Sequence, residues 1–203
     1  MLLKLPIKSE DVENWFETDV KFHQLYPPFI QELSGMHWTP LKIARKVVQF
    51  LTPDECVKIL DIGSGVGKFC LAAAHYRPNA QIYGIEQRGG LIEYANEAKN
   101  ILGLSNVFFH CGNFTQLNLK LYNHFYLYNP FFENIDKTSR IDNNILYSES
   151  LYNYYNQYLY NQLEEMPTGT RVASYCSWDE EIPTGYHLID TDFQYLVKFW
   201  IKE

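Results

Sequence analysis

Apolar positions along the chain fall into two alternating rhythms. Val57–Leu60, Gln81–Ile85, Val107–His110, Phe125–Tyr128 and Arg171–Cys176 are short segments rich in aliphatic and aromatic residues and bounded by turn formers. Such segments predict strands. Between them, apolar residues recur at helical spacing. Leu41, Ala44, Val47, Val48 and Leu51 follow Thr39-Pro40, a capping residue and a proline suited to a first helical turn, and Thr52-Pro53-Asp54 closes the segment. Phe69, Leu71, Ala72, Ala73 and Tyr76 predict a second helix, with a turn at Pro78-Asn79. Leu91–Leu102 predicts a third, with Gly103 placed to end it. A Tyr- and Asn-rich helix is expected over Asn144–Glu165, with Leu151, Tyr155, Tyr158, Leu159 and Gln162 on one face.

Strands alternating with helices predict a parallel sheet covered on both faces. The last two segments, Tyr186–Ile189 and Tyr195–Ile201, are joined only by Asp190–Gln194. A parallel crossover needs a dozen or more residues, so this pair must be antiparallel. The expected class is α/β: a doubly wound, mostly parallel seven-stranded sheet with an antiparallel last strand and helices on both faces. Residues 1–38 lack this rhythm and are expected to form an irregular, partly helical lid segment over a domain spanning 39–203.

Length and composition narrow the class. With 203 residues, 46% apolar and 20% charged, the chain suits one globular domain. No apolar run approaches the roughly 20 residues of a membrane span. Met1-Leu2-Leu3-Lys4-Leu5-Pro6 does not read as a secretory signal. Cys56, Cys70, Cys111 and Cys176 form no C-x-x-C pair, which predicts unpaired, buried thiols, no zinc site and a reducing, cytoplasmic setting. The net charge of −7 disfavours a chain that grips nucleic acid through phosphates. Lys42, Arg45 and Lys46 are the one dense basic cluster, expected on a solvated helix face.

Chemistry concentrates at Asp61-Ile62-Gly63-Ser64-Gly65-Val66-Gly67-Lys68, where a strand enters a glycine loop and then a helix. Glycines there allow a sharp turn and close approach to a ligand. A dinucleotide loop would need a glycine where Lys68 stands, and a triphosphate loop would need Ser or Thr where Phe69 stands. Asp61, two residues before the first glycine, would repel phosphate and suits a cationic ligand. Glu86 ends the second strand 25 residues later, a position from which acids accept ribose hydroxyls. A ribose with a positive charge and no phosphate describes S-adenosylmethionine. On the third strand's exit, Asn113 in Gly112-Asn113-Phe114 could read an adenine edge while Phe114 packs on the ring.

These residues together resemble the class I S-adenosylmethionine-dependent methyltransferases over roughly residues 40–203. The match rests on Asp61-x-Gly63-x-Gly65-x-Gly67, on Glu86 and on Cys111-Gly112-Asn113-Phe114. The resemblance implies cofactor contacts from Asp61, Gly63, Ser64, Gly65, Gly67, Glu86, Gln87, Gly112, Asn113, Phe114 and Asn129, with Trp38 and Thr39 covering the methionine end. The family usually has Asp where this chain has Asn113.

Asn129-Pro130-Phe131-Phe132 closes the fourth strand and is similar to the Asn-Pro-Pro-aromatic segment of methyltransferases that modify planar nitrogens, with one proline missing. The resemblance implies that Asn129 and Pro130 hold an acceptor nitrogen and that Phe131 stacks on the acceptor. His37 and His110 are conceivable bases. The expected function is methyl transfer to a nitrogen of a protein side chain or small molecule. The alternatives are a nucleic-acid base N-methyltransferase and a cofactor-binding module without catalysis.

Overall fold

The structure, a computed structural model, describes residues 9–203, with side chains from Val12 onward. The reading of the first six residues lies outside it. Four short helices come first: α1 (Ser9–Trp15), α2 (Asp19–His23), α3 (Pro28–Gln31) and α4 (Ser34–His37). Then follow α5 (Leu41–Leu51), β1 (Lys58–Ile62), α6 (Lys68–Tyr76), β2 (Gln81–Glu86), α7 (Gly89–Leu102), β3 (Val107–Cys111) and β4 (His124–Tyr128). The chain closes with α8 (Glu149–Glu164), β5 (Arg171–Tyr175), β6 (Tyr186–Asp192) and β7 (Val197–Lys202).

The seven strands form one sheet in the order β3-β2-β1-β4-β5-β7-β6. β1 to β5 pair in parallel, and β7 runs antiparallel to both β5 and β6. The strand that is last in sequence therefore sits inside the sheet, and β6 forms the edge.

Both faces of the central strands β1, β4 and β5 are buried, as their apolar sequences require, whereas much of β3 and β6 at the two edges is exposed. Side chains alternate across the sheet with period two. Ile59, Tyr126, Ala173 and Phe199 join one core with α5, α6 and α7, and this core also takes in Phe16, Phe22, Tyr26, Ile30 and Trp38 from the N-terminal segment. Leu60, Phe125, Leu127, Val172 and Trp200 join a second core with Tyr155, Leu159 and Leu163 of α8.

Four local expectations are corrected. Thr39 does not cap α5. Pro40 holds the cap position, Thr39 Oγ1 bonds the Tyr126 hydroxyl at 2.8 Å, and Asp19 Oδ1 of α2 accepts the Leu41 N–H at 3.0 Å. The Tyr-rich helix begins only at Glu149, because Ser148 caps it through the Leu151 N–H, and Leu163 rather than Gln162 completes its buried face. The β6–β7 connection is the four residues Phe193-Gln194-Tyr195-Leu196, the first three with positive φ, so the hairpin is tighter than the pattern suggested. Only Cys70 is buried; Cys56, Cys111 and Cys176 are exposed.

The basic cluster lies on the solvated face of α5, as expected, with Lys42 and Arg45 exposed. Lys46 pairs with Asp192 at 2.5 Å and reaches Asp190 at 3.8 Å. Lys42 lies over the Phe193 ring and Arg45 over the Tyr76 ring.

Candidate functional site

Parallel packing brings the carboxyl ends of β1, β2, β3 and β4 to one edge, where open α/β sheets bind ligands. At this edge lies a cavity of about 360 Å³, walled by the glycine loop, Glu86, Gln87, Gly112, Phe114 and the segment Asn129–Asn134. A narrow slot adjoins it, lined by Trp38, Thr39, Asp61, Ser64, Lys68 and Tyr126. The loop is shaped by Gly63, Gly65 and Gly67 at φ of 78°, 54° and 82°, values that L side chains avoid. The N–H groups of Gly63 and Ser64 both donate to Ile85 O at 3.0 Å, folding the loop onto the end of β2.

The three glycines have different reasons. A Cβ on Gly63 would come within 3.2 Å of Pro130 Cβ. One on Gly65 would meet nothing within 4 Å, so the space above it is open. One on Gly67 would lie 2.5 Å from the Phe109 ring, so this glycine serves the close packing of α6 on β3. Gly67 lines neither cavity.

Glu86 is buried beside the loop. Its Oε2 accepts the Gly65 N–H at 3.2 Å, and its Oε1 accepts the Arg88 N–H at 2.9 Å. Burial raises its pKa, opposed by the Arg88 charge and these backbone donors. Arg88, which the sequence reading passed over, is a buried hub. It reaches Glu86 at 3.3 Å, Glu133 at 2.6 Å and Asp142 at 3.3 Å, and donates to the Tyr147 hydroxyl at 2.6 Å. It thereby ties the end of β2 to the loop that covers the cavity. A cation two residues after the strand-end acid was the available signal.

Asp61 faces the slot. Its one hydrogen-bond donor among the described residues is the Cys70 thiol at 3.3 Å. Burial pushes its pKa up to about 7; the thiol bond opposes this and nearby Glu86 adds to it. Lys68, a second wall of the slot missed from sequence, is engaged elsewhere, with Asp19 Oδ1 at 2.5 Å and His23 Nε2 at 3.1 Å. A buried carboxylate without a cation is costly, so Asp61 suits a ligand that brings one.

The fourth strand ends in strain. Asn129 has φ of 40°, uncommon outside glycine, and its side-chain amide has no partner among the described residues. Pro130 and Phe131 line the cavity beside it. Phe131 stacks on Phe114 with ring centroids 5.1 Å apart and lies 5.4 Å from Tyr155.

The Asn113 side chain is engaged within the protein. Its Oδ1 accepts both Thr115 N–H and Thr115 Oγ1, at 3.1 and 2.9 Å, which occupies both lone pairs. Its amide donates to the Tyr155 hydroxyl, and the residue lines neither cavity. The Ser64 hydroxyl is buried without a partner, close to Gly84 and outside the main cavity. Trp38 packs on His23 and Tyr26, so it walls the slot as part of the core. His110 is exposed on β3 against Tyr83, away from the site, whereas His37 lines both cavities.

The arrangement suits a molecule with a cation at one end, a diol against Glu86 and a planar group near Phe114. Comparison with known proteins gives the family. A family model described as a methyltransferase domain matches residues 53–196. A tRNA (guanine-N(7)-)-methyltransferase of Synechococcus sp. is 46% identical over 54 residues, which span 27% of this chain and 23% of that protein. Among solved structures, TrmN from Thermus thermophilus has a TM-score of 0.60 at 17% identity, covering 85% of this chain and 51% of that one. An RNA methyltransferase from Salinibacter ruber, in complex with S-adenosylhomocysteine, has a TM-score of 0.55 at 19% identity, covering 81% and 92%. At these identities the two structures establish a shared fold.

Proposed function

Since the chain belongs to the S-adenosylmethionine-dependent methyltransferase family, we propose that it methylates a nitrogen, and that the acceptor is a nucleobase of RNA. The cofactor carries an activated methyl group on a sulfonium. The donor set fits it: Asp61 in the slot would hold the methionine ammonium, and Glu86 would accept the ribose hydroxyls. Phe114 would flank the adenine. Much of the remaining catalysis is orientation of the acceptor lone pair toward the methyl carbon.

One observation carries the nitrogen assignment. The free amide of Asn129 is fixed by a strained backbone at the cavity wall, beside Pro130 and the aromatic group of Phe131, Phe114 and Tyr155. A carboxamide oxygen can accept an N–H and so turn a nitrogen lone pair, and a planar base can stack on the rings. The partial likeness to a tRNA guanine-N7 enzyme supports a base as the acceptor.

A second reading, a protein side chain or small molecule, is favoured by electrostatics. The net charge is −7, and Lys46 of the dense basic cluster is paired with Asp192. Radiolabelled S-adenosylmethionine incubated with bulk tRNA, basic proteins and a small-amine panel decides between them. Label in tRNA, reduced at least 100-fold in Asn129→Ala at saturating S-adenosylmethionine, is the expected result. Label confined to protein or amine overturns the RNA assignment.

A further inference from the structure

The two cavities share three residues: His37, Gly63 and Tyr128. A molecule that lays a methionine end in the slot and an adenosine in the main cavity must pass between these three. In S-adenosylmethionine the sulfur is the atom that joins the two parts and carries the methyl group. We propose that His37 is the general base of methyl transfer, standing at the junction where the methyl group is exposed to the acceptor. This rests on the cofactor reading of the cavities given above.

The junction leaves His37 alone for this task. Gly63 has no side chain, and one there would crowd Pro130 at 3.2 Å. The Tyr128 hydroxyl donates to Met36 O at 2.7 Å, so its proton is committed, and burial beside Tyr175 raises its pKa. The His37 imidazole makes no hydrogen bond with any described residue, although its backbone N–H is held by Leu33 O at 2.9 Å at the end of α4. The ring is thus placed by the main chain and free at its nitrogens.

Its surroundings keep it neutral. Burial lowers the His37 pKa; Glu133 opposes this, and the Arg88 charge adds to it. The other charged groups around the two cavities are Glu86, Asp61 and Lys68, the last engaged with Asp19. A neutral imidazole near pH 7 can accept a proton. The acceptor nitrogen forms its bond to the methyl carbon as the carbon–sulfur bond breaks, with the electron pair staying on sulfur. For an acceptor nitrogen that carries hydrogen, such as an exocyclic base amine, the positive charge passes to that nitrogen, and its proton moves to His37 and later to solvent.

The placement can be tested without knowing the acceptor. Histidine ring titrations would be followed by NMR in the free protein and in its complexes with S-adenosylmethionine and S-adenosylhomocysteine. His37→Asn and His37→Gln assign the resonance, and His75, His124 and His187 serve as references distant from the cavities. The sulfonium is cationic and the thioether is neutral. A histidine beside the sulfur should titrate about one pH unit or more lower with the former than with the latter. Equal titration in the two complexes would overturn the assignment while leaving the cofactor site intact. Failure of both compounds to bind the folded protein would overturn the cofactor reading itself and the assignment with it.

Discussion

Asp61 illustrates how one side chain couples stability, pH and ligand. Its carboxyl titrates near 7 in the fold against an ordinary value of 3.8. Between those values the folded state binds the extra proton, so this group's contribution to stability falls as pH rises across the window and levels off above it. Asp61→Asn keeps the shape and removes the buried charge. The variant should be more stable than the parent at pH 8, by on the order of 3 kcal/mol, and nearly equal at pH 4. Urea melts at the two values measure this. The same variant should bind S-adenosylmethionine 10- to 100-fold more weakly at pH 8, in calorimetric titration. A variant that is no more stable at pH 8 would mean that Asp61 is already compensated in the fold.

At the scale of elements, the glycine loop divides into a ligand half and a packing half. Gly67 sits at the start of α6, under the Phe109 ring and 3.1 Å from Ala95 Cβ as measured from a would-be side chain. Gly67→Ala should therefore cost about 2–4 kcal/mol, through both the clash and the positive φ. Gly65→Ala faces open space and should cost only about 1–2 kcal/mol for its positive φ, yet lose cofactor affinity by obstructing the cavity. Thermal melts paired with cofactor titration separate the two. Equal stability losses would show that the loop is held by the ligand side alone. The Gly-x-Gly-x-Gly spacing was readable in sequence, but this division was not, because it depends on β3 lying under α6.

At the scale of the molecule, two covers meet over the site. The N-terminal segment is tied down by Tyr26 Oη to Val66 O at 3.0 Å, by Lys68 to Asp19 and by Tyr128 to Met36 O. The segment between β4 and α8 is tied down through Arg88 to Glu133, Asp142 and Tyr147. A ligand between them should tighten both. S-adenosylhomocysteine at about 100 times its Kd should raise the melting temperature by roughly 5–10 °C. Amide exchange should slow at least tenfold in residues 28–40 and 131–147, and little in β5 to β7. Protection confined to the glycine loop would show that the covers are rigid without ligand.

Period-two and period-3.6 patterning determined the strands, the main helices and the α/β class, because burial on both faces of a sheet leaves few other solutions. Asp61, Glu86 and the glycines were readable for the same kind of reason: backbone turns and strand-end acids are local features with local spacing. Arg88 and Lys68 were not, since a cation reads as solvated until its partners, 45 and 49 residues away in Glu133 and Asp19, are brought to it. The burial of Asp61 without a cation, the capture of Asn113 by Thr115, and the meeting of His37, Gly63 and Tyr128 between two cavities were decided by tertiary structure alone. Each depends on which atoms fill the space around a side chain, and that space is made by chain segments far apart in sequence.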